Sequence, residues 1–178
     1  MLANGWGPIP SLTPGNGFVI FDFFDNIPDP NGPATSPAEG RLRSPVISLG
    51  PNDTAVELSF YQQIFHCCNF EFEAFLKIST DGGSTFSDTL VVTWVDRNER
   101  HWNLGFGYEY VADISEFIKA DPTNIVLEFD WNATNADANG QYANSYFWMI
   151  DDVELRTLPE NSVKFTPLVG ATSAPKQD

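Results

Sequence analysis

Two adjacent carboxylates, Asp151 and Asp152, interrupt a run in which Phe147, Trp148, Met149 and Ile150 leave no polar face. Neighbours on a strand point to opposite faces, so this stretch is apolar on both sides, and unpaired acids beside it are costly. Calcium takes about six to eight oxygen ligands and would neutralise them. Further oxygen donors lie in the first apolar run and the loop after it, at Asp22, Asp25, Asn26, Asp29 and Asn31. The expected ligand set of a structural Ca2+ is therefore Asp22, Asp25, Asn26, Asp29, Asp151 and Asp152. The alternative needs no metal: one Asp is solvated and the other accepts backbone N–H groups at a β-bulge.

His66-Cys67-Cys68 carries metal-ligating and redox chemistry. Zinc wants four ligands, neighbouring strand residues face apart, and only the distant His101 adds a nitrogen, so zinc is not expected. Cys67 and Cys68 are the only cysteines. A long-range disulfide framework is excluded, whereas a bond between these two can form in an oxidising compartment. It is strained, because a trans peptide holds the Cα atoms about 3.8 Å apart, below the usual disulfide window.

Aromatics interleave with glycines from Trp94 through Trp102, Phe106 and Tyr108 to Tyr110. Exposed, they would stack on sugar rings; buried, they would plug the ends of a sandwich. The polar stretch 132–145 offers hydroxyl partners, and the expected ligand-binding set is Trp102, Phe106, Tyr108, Asn135, Gln141 and Tyr142. Enzyme readings fail on spacing. Glu71 and Glu73 alternate as glycosidase carboxylates would, but Leu76 stands where a third acid is needed. Gln63 and His66 are three apart and so face opposite ways. No catalytic residue is expected.

The elements that must hold these groups are short. Phe70, Phe72, Ala74, Leu76 and Ile78 alternate with Glu71, Glu73 and Lys77, a half-buried strand closed by Thr80-Asp81-Gly82-Gly83. Similar runs occupy 18–24, 41–49, 55–65, 88–95, 124–131 and 146–155. Only 111–120 suits a helical turn or two, stopped at Asp121-Pro122. The pattern predicts an all-β fold, an antiparallel β-sandwich of jelly-roll type over 18–158. It has an irregular lead-in over 1–17, and an exit strand and linker tail over 159–178.

The charge bounds the partners. Twenty-four acidic against nine basic residues give a net charge of −15 over 178 residues. A nucleic-acid partner is excluded, because backbone binding needs a basic surface. No apolar run approaches the roughly 20 residues that span a bilayer, so membrane insertion is not expected. No signal peptide is visible, so an exported protein would stand here in mature or excised form. Glu71 and Glu128, on the polar phase of their strands, are expected to solvate a sheet face.

Three stretches carry more than pattern: Leu42-Arg43-Ser44-Pro45-Val46-Ile47-Ser48-Leu49, Ile78-Ser79-Thr80-Asp81-Gly82-Gly83-Ser84-Thr85-Phe86 and Trp148-Met149-Ile150-Asp151-Asp152-Val153-Glu154-Leu155. In this order they resemble MAM-like, galactose-binding-like jelly-roll modules of large secreted Bacteroidetes surface proteins. Unlike animal MAM domains, the chain lacks spaced cysteines, so a receptor-type role is not implied. The resemblance implies a non-catalytic module of an adhesin, or an accessory to a secreted peptidase or polysaccharide-degrading enzyme. It also implies export by type IX secretion through a separate sorting domain, flanking domains in a larger chain, and a cation between the N-terminal loop and the last strand. The expected function is extracellular recognition of a glycan or protein at a cell surface. A spacer domain of a surface assembly and a divergent polysaccharide-active enzyme are the alternatives.

Overall fold

Alternation of apolar and polar residues builds the strands, and their pairing order defines the fold. The computed structural model describes residues 9, 11–13, 15–22, 38–67, 72–86, 88–95, 107–133 and 144–159. Among them run β1 (Val19–Asp22), β2 (Ala38–Arg43), β3 (Val56–Cys67), β4 (Phe72–Ser79), β5 (Asp88–Val95), β6 (Tyr108–Asp113), α1 (Ser115–Ile118), β7 (Val126–Ala133) and β8 (Asn144–Thr157). One sheet has the order β1-β8-β3-β6 and the other β2-β7-β4-β5, and the paired strands are antiparallel. The pairs 1/8, 2/7, 3/6 and 4/5 form one long antiparallel ribbon, which rolls until β8 meets β3 and β7 meets β4. That is the jelly roll expected from the sequence, with β6 as an eighth strand beyond the seven runs read there.

Both sheets turn their apolar phase inward. Leu58, Phe60 and Ile64 of β3 and Trp148 and Ile150 of β8 share one core with Ala74, Leu76 and Ile78 of β4 and Leu127, Phe129 and Trp131 of β7. Aromatic rings join the sheets: Phe60 meets Phe129 edge-on with centroids 5.2 Å apart, and Phe129 meets Trp148 at 5.9 Å. A fully buried glutamine, Gln62, lies in this apolar phase, and its Oε1 accepts the Trp148 indole N–H at 2.9 Å. Such a pairing offsets the desolvation of two polar groups that would otherwise destabilise the interior.

Two connections are pinned by short polar side chains. In the β4–β5 hairpin Asp81 Oδ1 accepts from Ser79 Oγ at 2.6 Å and from the backbone N–H groups of Ser84 and Thr85, both at 2.9 Å. Thr85 Oγ1 donates to Asp81 Oδ2 at 2.7 Å. The turn needs positive φ at Gly82 (+69°) and Gly83 (+87°), a region closed to most side chains. At the start of α1, Ser115 Oγ accepts the Val56 N–H at 2.9 Å and donates to Asp113, tying β3 to the β6–β7 connection.

The structure differs from the sequence reading at three places. The 41–49 strand is shorter and earlier, ending at Arg43; Pro45 cannot donate to a ladder, and beyond it only Ile47 bridges, to Ile125. The stretch read as the start of a helix opens as strand β6, whose Tyr110 stacks on Phe60 at 4.9 Å. The lead-in is more than a linker. Ile9 is fully buried against Phe147 and Met149 on the outer face of β8, with Phe18, Ile20 and Tyr61 around them. A second, smaller core on the far side of the sheet explains why β8 is apolar on both faces. The exit strand and tail expected from 159 lie, beyond that residue, outside the described residues.

Candidate functional site on the outer face of the β2-β7-β4-β5 sheet

The intervening residues of β2, β7 and β4 fall on the side of the sheet away from the core. Register sets them in rows: Arg43–Glu128–Lys77, then Arg41–Asp130–Phe75, then Glu39–Asn132–Glu73. Solvating residues would stand exposed there, yet Glu128 is 3% and Asp130 5% exposed. Glu128 therefore does not solvate a sheet face as its polar phase suggested. Two carboxylates at this depth need cations, and three supply them. Arg43 Nε donates to Glu128 Oε2 at 2.5 Å and Arg41 Nε lies 3.4 Å from Asp130 Oδ2. Lys77 Nζ bridges the two acids, donating to Asp130 Oδ2 and standing 3.7 Å from Glu128 Oε1.

The arrangement has a floor and a rim. The carboxylates form the floor, whereas the Arg41 and Arg43 side chains are 58% and 53% exposed. Arg43 is further fixed by its guanidinium over the Phe86 ring, 4.6 Å from the centroid. A guanidinium held through Nε and a ring face keeps its Nη edge for another acceptor. Fixed acceptors beneath fixed donors bind a hydroxyl-rich or anionic ligand without reorganising.

The sequence-chosen residues divide between places. Asp151 and Asp152 meet the lead-in: Ser11 Oγ donates to Asp151 Oδ2 at 2.5 Å, and Leu12 N to Asp152 Oδ2 at 2.9 Å. Thr13 donates to Asp152 through both its N–H and its hydroxyl. Here β8 carries a bulge. Tyr61 faces Asp151 and Ser59 faces Glu154, so Phe60 is opposed by both Asp152 and Val153. The extra residue moves the inward phase from Trp148 and Ile150 to Leu155 and keeps Asp152 out of the core. Asp152 takes φ +49° to do so. That strain, about 1 kcal/mol for an Asp, is smaller than the several kcal/mol of burying its charge.

Asp22 does not join the bulge. It is in register with Phe147, and Asp151 lies four residues further along β8, about 13 Å away by strand rise. A single calcium cannot take both, so the six-residue ligand set is divided. Among the described residues no three His, Cys, Asp or Glu side chains group as metal ligands would. Asp25, Asn26, Asp29, Cys68, Trp102, Phe106, Asn135, Gln141 and Tyr142 lie outside the described residues.

Topology still relates these residues. The 22–38, 67–72, 95–108 and 133–144 connections have all their anchoring strand ends at one end of the sandwich: Asp22 and Cys67 lie by the start of β8, and Ala38 and Glu73 by the end of β7. Tyr108 belongs to this end too, exposed on edge strand β6 and in register with Gln62. Its neighbour Tyr110 is a packing residue, its phenol pushed up by burial.

The sequence reading missed Arg41, Arg43, Lys77 and Asp130. Each follows a polar alternation phase, but only the pairing of β2 and β4 with β7 assembles them, and that pairing joins residues some 50 to 90 positions apart.

No family model and no curated protein matches the chain. Among solved structures it is similar to TmCBM61 in complex with beta-1,4-galactotriose, at 12% identity and a TM-score of 0.37, over 67% of this chain and 62% of that one. It is also similar to a structure of infectious bursal disease virus Gx strain, at 12% identity and a TM-score of 0.30, over 84% of this chain and 37% of that one. The chain thus spans about three fifths of the first and little more than a third of the second. These likenesses give it neither a family nor a ligand. The β-sandwich is established by its own strand order.

Proposed function

We propose that the chain is a non-catalytic recognition domain of a secreted or cell-surface protein, and that it binds a glycan on the outer face of the β2-β7-β4-β5 sheet. One observation carries the reading: Glu128 and Asp130 are nearly buried on a face whose acids would otherwise be solvated, beneath two guanidiniums that keep an exposed edge. Burying ion pairs seldom stabilises a fold better than apolar residues of similar size would. A network kept at that cost, open on its rim, suits preorganised recognition of sugar hydroxyls. The 96–107 and 134–143 connections, with Trp102, Phe106, Asn135, Gln141 and Tyr142, leave the end nearest the Glu39–Asn132–Glu73 row and are proposed to border the ligand. A structural calcium held by Asp25, Asn26 and Asp29, with Asp22 at the base of that connection, belongs to the same proposal.

A glycan array read with the parent chain and with Asp130→Asn tests the site. The expected result is binding by the parent and a loss of about tenfold or more in the variant, whose neutral amide no longer holds Arg41 and Lys77 in place beneath the ligand. Equal binding by both would place the ligand elsewhere. No binding by either would leave this face to pack against a neighbouring protein.

A further inference from the structure

We infer that the glycan bound on this face carries a carboxylate, recognised by Arg41 and Arg43; the inference rests on the glycan reading above. In a chain of net charge −15, three of the five described cations, Arg41, Arg43 and Lys77, stand on this one patch. Lys119 and Arg156 lie elsewhere and are each engaged with a single glutamate, Glu116 and Glu57. Lys77 touches both floor carboxylates, so neither acid depends on the arginines alone. The five charges leave one positive charge in excess, and it resides on the rim.

The geometry of the rim selects the anion. Arg41 and Arg43 are two residues apart on edge strand β2 and so emerge on one side, about 7 Å apart along the strand. Arg43 is anchored through an Nε hydrogen bond and Arg41 Nε stands 3.4 Å from Asp130 in an ion pair, and among the described residues the Nη groups of neither have a hydrogen-bond partner. A planar pair of Nη donors matches a planar carboxylate better than a lone hydroxyl, and the match is bidentate. Among the described side chains, the charges facing the pair are Glu128, Asp130 and Lys77 on the floor and, one row nearer the loop end, Glu39, in register with Asn132. That acidic row sets the polarity of the ligand: its carboxylate lies over Arg41 and Arg43, and its hydroxyls lie toward Glu39 and Asn132. The overall negative charge does not forbid this, since screening at physiological salt limits exposed charges to about 8 Å.

Isothermal titration of the full chain with oligogalacturonate and with the matching neutral galactose oligomer tests the inference, at about 50 mM and about 300 mM salt. The acidic oligomer should bind more tightly, and more weakly at high salt. Arg41→Gln and Arg43→Gln should each lower its affinity about ten- to hundredfold. Arg41→Gln leaves Asp130 its bond from Lys77, so its melting temperature should stay near that of the parent; Arg43→Gln leaves Glu128 with Lys77 at 3.7 Å, so its melting temperature should fall by several degrees while its unfolding stays cooperative. Lys119→Gln, remote at the residue after α1, should leave affinity unchanged. Equal binding of both oligomers, or an Arg variant that folds and binds the acid as the parent does, overturns the inference and leaves glycan recognition standing. If neither these oligomers nor any array glycan binds, the glycan reading fails with it.

Discussion

Lys77→Met is the most informative single change in the buried network, because it removes an ammonium while keeping an unbranched chain of similar length. Among the described residues Asp130 would then keep only Arg41 at 3.4 Å, and Glu128 only Arg43 at 2.5 Å. Deleting the only partner of a buried charge costs about 3–5 kcal/mol, and exposed pairs are worth about 0–1. Lys77 is 26% exposed and each acid retains one arginine, which places the loss between those limits, at about 2 kcal/mol. For a chain of this length that is a fall of roughly 4–8 °C in melting temperature. Urea unfolding followed by tryptophan fluorescence gives the free energy directly, since Trp131 and Trp148 are fully buried and change environment on unfolding. Adding Asp130→Leu should restore most of the loss, because the remaining pair is Arg43 with Glu128 and no acid is left stranded. A Lys77→Met loss below about 0.5 kcal/mol would refute the reasoning, showing the carboxylates to be as well hydrated as ordinary surface acids.

Four further outcomes are expected. Ile9→Ala should cost about 2–4 kcal/mol, as truncation of a fully buried aliphatic does, whereas an unchanged unfolding curve would detach the lead-in from β8. Hydrogen bonds from Ser79 and Thr85 hold the Asp81 carboxyl well below the usual carboxylate range. Because its folded value lies beneath the unfolded one of about 3.9, its contribution is full above that pH and is lost as pH falls through the folded value. The gap in melting temperature between the parent and Asp81→Asn should therefore be constant from about pH 5 to 8 and narrow in acid; a constant gap down to about pH 2 contradicts the role of the Asp81 carboxylate in pinning the hairpin. Calcium should raise the melting temperature of Asp152→Asn as it raises that of the parent, since the Asp152 carboxylate is filled by Leu12 and Thr13. A melting temperature indifferent to EDTA in both would remove the cation from the account. Asp152→Gly should lose the bonds to Leu12 and Thr13 but shed the αL strain, for a net cost near 1 kcal/mol by chemical denaturation.

Much of the sandwich is legible in the residues because a half-buried strand writes its period into them. β4 and β7 keep an apolar residue at each inward position, and the glycines after Asp81 announce the hairpin that the structure closes. β6 was hidden because its aromatics suit a ligand platform as well as a strand, and because the helical turn after it is only four residues long. The double-faced apolarity of β8 was visible, but its cause was not. Nothing in the spacing of Ile9 says that a Gly- and Pro-rich lead-in returns to cover Phe147 and Met149. A bulge at one of the two acids is legible in the sequence because adjacent carboxylates in an apolar run are costly, but only the register puts it at Asp152. The charged face was out of reach for a different reason. Its residues look like ordinary solvating positions on three strands until register brings them side by side, and burial, not residue type, distinguishes Glu128 and Asp130 from surface acids.

The central claim is a location, so the most direct measurement is a map. Backbone amide spectra of the isotope-labelled chain, titrated with the strongest glycan from the array, report where the ligand sits. The account predicts shifts concentrated at Arg41, Arg43, Phe75, Lys77, Glu128 and Asp130. Shifts concentrated instead around Asp151, Asp152 and the outer face of β3 and β8 would contradict it.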